Sequence, residues 1–113
     1  MRIATFYGTL GRDWEKKEVS GYDIFENSLA VKCGKNNKDT MWVKLTQWGD
    51  KAGSTLTQYT GKGCKFIASG DIECRGWVKD GEAKTQIEMN MSKFSIVTFK
   101  EDGKEEVPDE IPF

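Results

Sequence analysis

Apolar and polar positions recur with a period of two over most of the chain, the spacing of half-buried strands. Residues 2–9, RIATFYGT, make a first predicted strand that ends at the turn signals Gly8 and Gly11. Residues 22–32, YDIFENSLAVK, make a second, less regular one. The polar stretch CGKNNKD at 33–39 is then a loop, a flexible basic finger that carries Lys35 and Lys38. In TMWVKLTQW at 40–48, Val43 and Leu45 fall on one face, and Trp42, Lys44, Thr46 and Trp48 on the other. One face is core; the other sets indoles beside a cation.

Between 50 and 60 the period changes. Ala52, Leu56 and Tyr59 lie at helical spacing behind a candidate Asp50 cap, and Gly53 and the threonines make this a weak, short helix. Alternation resumes in CKFIASGDIECRGW at 64–77. Phe66, Ala68, Ile72 and Cys74 share one parity, and Lys65, Ile67, Ser69, Arg75 and Trp77 the other. Gly70 marks a bulge or a sharp bend in this strand. VKDGEAK supplies an Asp-Gly hairpin turn into the last strand, TQIEMNMSKFSIV. Ile87, Met89 and Met91 share a parity there that Phe94 and Ile96 do not, so a bulge or the strand's end is expected near Ser92.

Three strands, a short helix and two strands is the order of the OB-fold, a small five-stranded barrel with the helix between strands 3 and 4. Pattern alone leaves an SH3-like barrel or a β-sandwich open. The 113 residues suit one domain, and no run approaches the roughly eighteen apolar residues of a membrane span. The opening MRIATFYGTL has no apolar signal-peptide core, so a cytoplasmic protein is expected.

Cys33, Cys64 and Cys74 are odd in number, form no CxxC pair and have no histidine beside them to complete a zinc site. They read as reduced thiols. No metal site, cofactor or catalytic constellation is expected, and an enzyme is the least favoured class.

The formal charge of −1 divides unevenly. Residues 100–113 hold Lys100 and Lys104 against six carboxylates, a net −4, which leaves 15 basic and 12 acidic side chains, or +3, on residues 1–99. A basic body with an acidic tail suggests a polyanion partner for the body and a basic partner for the tail, although acidic ends also serve solubility alone. The chain divides accordingly into a domain over 1–99 and a short flexible tail over 100–113. Ile111 and Phe113 gain nothing at a solvated terminus unless another protein covers them.

A face with Trp42, Trp48 and Trp77 beside Lys44, Lys65 and Arg75 suits unpaired nucleic acid, since indoles stack on bases and cations meet phosphates. The same tryptophans could equally pack in a subunit interface or under a loop. Asp71 and Glu73 count against a nucleic-acid face, because an extended strand sets both beside Arg75. Lys32, Lys35 and Lys38 would wrap a strand, or simply be solvated.

Taken in order, these motifs resemble the bacterial and phage single-stranded DNA-binding proteins. YGTLGRDWE is similar to the family's opening strand and turn, with Trp14 in place of its usual proline. MWVKLTQWGDKA, YTGKGCKFIASGDIECRGW and the final DEIPF are similar to its later segments and its C-terminal tip. The resemblance implies an OB-fold homo-oligomer, dimer or tetramer, that coats single-stranded DNA in replication, recombination and repair. It puts Trp42, Trp48 and Trp77 on base-stacking positions and Lys62 and Arg75 on the DNA path. It makes Asp109, Glu110, Ile111, Pro112 and Phe113 a docking peptide for genome-maintenance proteins. Ile67 departs from a stacking aromatic and Glu73 from a common basic residue. An RNA-binding or primosome-type OB module, or a purely protein-binding adaptor, are the rival readings.

Overall fold

A computed structural model describes residues 1–101. The docking peptide Asp109–Phe113 and almost all of the expected tail therefore lie outside the described residues. The elements are β1 (Ile3–Leu10), β2 (Glu15–Val19), β3 (Tyr22–Cys33), β4 (Asp39–Trp48), α1 (Asp50–Tyr59), β5 (Lys65–Lys79) and β6 (Glu82–Ile96), with a single 3₁₀ turn at Lys35–Asn37.

Five strands close on themselves in the order β1-β5-β6-β4-β3, and β3 returns to β1 through Thr9↔Ala30 and Leu10↔Leu29. The β4–β6 pairing is parallel, and the others among the described residues are antiparallel. This is an OB-fold barrel, with α1 between the third and fourth strands of the ring. Leu10, Leu29, Val43, Leu45, Phe66, Ala68 and Met89 fill it and are at most 1% exposed. Each such side chain contributes about 1.5–3 kcal/mol on burial when it is of Val, Leu, Phe or Met size.

The helix forms despite weak propensity because packing supplies what the sequence lacks. Leu56 is fully buried, and Gly53 lies so close to the Phe25 ring that a β-carbon would overlap it. Gly49, with φ of 101°, is the N-cap, and Asp50 sits in the first turn instead of capping. Beside α1, the indole N–H of Trp14 donates to Thr60 Oγ1 at 2.8 Å, and its ring meets Phe66 edge-on at 5.9 Å. Trp14 thus belongs to the core.

Two features at the middle of the last two strands prove to be one. Ser69 pairs with Lys93 but Gly70 pairs with Met91, so Ser92 is the extra residue of a bulge on β6. The parity switch at Ser92 and the glycine opposite have the same cause. A β-carbon on Gly70 would stand 2.0 Å from the Asn90 carbonyl oxygen.

β2 has no counterpart in the sequence reading. EKKEV carries no apolar alternation, and all five residues are exposed. It is held by its ladder to β3, through a two-residue turn in which Ser20 and Gly21 both have positive φ. Asp80 and Gly81 make the same turn between β5 and β6.

Candidate nucleic-acid interface

Residues directly opposite each other in a ladder share a face. Lys44↔Glu88 and Thr46↔Asn90 join β4 to β6; Asp71↔Asn90, Glu73↔Glu88, Arg75↔Gln86 and Trp77↔Lys84 join β6 to β5. Thr5↔Ser69, Tyr7↔Ile67 and Thr9↔Lys65 extend the same outer face onto β1. Lys44, Lys65, Arg75, Trp48 and Trp77 therefore all project from the outer surface of the barrel, on β4 and β5, the two strands that flank β6. Because β4 and β6 run parallel, the 33–39 loop and the β5–β6 turn lie at one end of this face. The end of β4 and the start of β5 lie at the other, about 30 Å away for a ten-residue strand.

The three tryptophans are placed differently. Trp48 is 46% exposed, and its Nε1–H donates to Asn90 Oδ1 at 3.2 Å. Tyr22, 66% exposed, meets it edge-on at 6.2 Å. Trp77 is half-buried, on the part of β5 paired near the hairpin turn. Trp42 corrects the expectation of a solvent-facing indole. It is only 9% exposed, and its partner Ala30 is 4% exposed, so this part of the outer face is covered within the chain itself.

The cations on the face are largely engaged. Lys44 Nζ lies 3.1 Å from Glu26 Oε2, and Lys17 Nζ lies 2.7 Å from Glu26 Oε1. Burial pushes the Glu26 carboxyl up, but hydrogen bonds from Lys17 and Lys44, with their charges, outweigh it and leave Glu26 below the usual glutamate range. The hydrogen bond to Glu26, then its charge, raises Lys17. Arg75 Nε lies 3.5 Å from Glu88 Oε2, and Gln86 also donates to that oxygen. Lys65 donates to Thr9 Oγ1 at 2.9 Å and stands over the Tyr7 ring, 5.7 Å from its centre. Lys32, Lys35, Lys38 and Lys62 are exposed and form no ion pair among the described residues. The first three surround the 33–39 loop, and Lys62 lies in the turn between α1 and β5, where its backbone N–H donates to Asp13 Oδ1.

Sequence reasoning missed Tyr7, Tyr22, Lys17 and Arg2. Tyr7 shares the parity of Thr5 and Thr9, a signal available in the first strand. Lys17 reaches the site only through β2, which the pattern does not announce. Asp71 and Glu73 do lie on the outer face, as expected, and Arg2 pairs with both. No group of three metal-ligating side chains occurs among the described residues.

A family model of single-strand binding proteins matches residues 1–97. The chain belongs to the single-strand binding protein family. Solved family-like structures share its fold: the small single-stranded DNA-binding protein from Streptomyces coelicolor superposes with a TM-score of 0.70 at 11% identity, covering 83% of this chain and 92% of its own. A crystal structure of the mitochondrial single-stranded DNA-binding protein from S. cerevisiae gives 0.70 at 16% identity, over 86% and 95% of the two chains. A second gives 0.66 at 18%, over 85% and 94%. No curated protein matches the sequence. At these identities the neighbours bear on the barrel, while the family model bears on the sequence itself. No helix among the described residues is long and apolar enough to cross a membrane.

Proposed function

We propose that this protein binds single-stranded DNA without sequence preference, as a non-catalytic coat during replication, recombination and repair. The observation that carries the reading is Trp48. In a chain of this family, a half-exposed indole is held at its N–H by Asn90 and packs at 65° against the Tyr22 ring, on the outer surface that also carries Lys44, Arg75 and Trp77. A fixed π-surface accepts any base, at roughly 1–3 kcal/mol per stack. Trp48 and Trp77 stack bases; Trp42, nearly covered, supports the surface beneath. Lys44, Lys65 and Arg75 meet phosphates along the face, Lys62 at the turn after α1, and Lys32, Lys35 and Lys38 at the far end.

Residues 1–99 are the binding domain, and 100–113 are the tail whose tip, Asp109 to Phe113, docks replication and repair proteins. That docking pairs carboxylates with basic residues and places the final phenylalanine in an apolar pocket. The working form is a homo-oligomer. In support, among the described residues β1 pairs β5 on one side from Ile3 to Thr9 but meets β3 only at Thr9 and Leu10, which leaves a strand edge there to which a second copy can add. Its setting is the cytoplasm of a bacterial cell or phage-infected host.

The test is a titration of intrinsic tryptophan fluorescence with oligo-dT, oligo-U and duplex DNA, on the full chain and on one ending at Val107. Quenching by oligo-dT alone, tightened by removal of the tail, is the expected result. Absence of quenching in both chains would refute a stacking face, and preference for oligo-U would transfer the function to RNA.

A further inference from the structure

Asp71 and Glu73 stand on the outer face in the same alternating row as Arg75 and Trp77, and Glu73 lies directly opposite Glu88. Three carboxylates in adjoining positions should turn a polyanion away from the β5 side of the face. The N-terminal arm answers two of them. The backbone carbonyl of Arg2 accepts a hydrogen bond from the Ile72 N–H at 2.8 Å, which fixes residue 2 beside the strand between the two acids. From there the guanidinium divides: Nη2 lies 3.3 Å from Asp71 Oδ2, and Nη1 lies 3.4 Å from Glu73 Oε1. A planar fork of donors can bridge two separate carboxylates in this way, where an ammonium would act as a single point. Glu88 is met by Arg75.

We propose that Arg2 is a charge-masking residue of the interface. It makes the acidic segment of β5 passable to a phosphate backbone by holding Asp71 and Glu73, and it acts through them without touching the strand itself. Asp71 and Glu73 together carry −2; Arg2 brings the trio to −1 and keeps both of its carboxylates turned to itself. The inference rests on the single-strand binding proposed above. All three side chains are about half exposed, so these pairs contribute little to folding. Their removal is therefore read in binding.

The experiment is a cycle of R2Q, D71N/E73Q and the triple variant, each titrated with fluorescently labelled oligo-dT at low and high salt, with thermal melts alongside. R2Q is expected to weaken binding roughly three- to tenfold at low salt, from two unscreened carboxylates within about 6 Å of phosphates, and by less at high salt. In the D71N/E73Q background, R2Q is expected to cost less than it does in the wild type, only the long-range attraction of one positive charge. A loss as large in that background as in the wild type means that Arg2 acts on the strand independently of Asp71 and Glu73, and an unaltered affinity for R2Q alone means that the mask is idle; either overturns the proposal. Absence of binding by the wild-type chain would remove the underlying reading, and this one with it.

Discussion

Replacing Trp48 by alanine separates stacking from burial, because the two tryptophans of β4 differ in exposure, 46% against 9%. A tryptophan side chain can bury up to about 250 Å², so with 46% exposure roughly 130 Å² of Trp48 is covered. At 25 cal/mol/Å² that amounts to about 3 kcal/mol, an upper value because the unfolded chain already covers part of its surface. W48A is thus expected to cost about 2 kcal/mol of stability, including the exposed hydrogen bond to Asn90. It should also lose one base stack, roughly 1–3 kcal/mol, or about a 5- to 150-fold rise in dissociation constant. W48F keeps a ring and should recover most of the binding.

Trp42 supplies the contrast. At 9% exposure it has almost no face to offer, so W42F should lower the melting temperature and leave the dissociation constant unchanged. Binding is read by anisotropy of a labelled oligo-dT, well below every variant's melting temperature, so that unfolded protein does not imitate weak affinity. Binding of W48A like the wild type would refute a stacking role for Trp48. A W42F variant that loses affinity while melting normally would refute it equally, since the covered indole would then be the stacking one.

G70A should be destabilised by about 1–3 kcal/mol or more, because its β-carbon meets the Asn90 carbonyl oxygen; a denaturant melt checks it. E26Q should lose about 1 kcal/mol at neutral pH by removing the charged bridge between Lys17 and Lys44. Since the folded Glu26 carboxyl titrates below its unfolded value near 4.3, its contribution is complete above that value and disappears as the pH falls through the folded one. Melts of E26Q and wild type should therefore converge in acid. Charge reversal at Lys32, Lys35 and Lys38 should flatten the slope of log affinity against log salt, by about 0.7 for each phosphate that is no longer neutralised.

The core strands are legible in the sequence because they carry their own instruction, while their closure into this barrel rests on the element order and the family resemblance. Val43 and Leu45, Phe66 and Ala68, and Met89 and Met91 alternate as the pleat requires, and the helix is betrayed by Leu56. Even the bulge is written twice, in Gly70 and in the parity change after Met91. β2 is not legible, because EKKEV faces solvent throughout and is specified by the edge of β3 together with the Ser20-Gly21 turn. Exposure is the other gap. Parity assigns Trp42 and Trp48 to the same side of β4, but only the fold decides that one is covered and the other half exposed.

Pairing within the face has a consequence for how a strand would bind. Lys44 and Arg75 already face carboxylates, so meeting a phosphate requires each to leave or share Glu26 or Glu88. The carboxylate released then recovers a cation from solution, which offsets the counterion that the phosphate gives up. Such residues add little to the salt dependence of affinity, whereas Lys32, Lys35, Lys38 and Lys62, which hold no carboxylate among the described residues, add the full amount. The slope should therefore follow the loop and turn lysines, and the affinity that survives at high salt should follow Trp48 and Trp77. A salt slope that falls as much in K44Q as in K35Q would contradict this division, and would mean that Lys44 changes partners without cost.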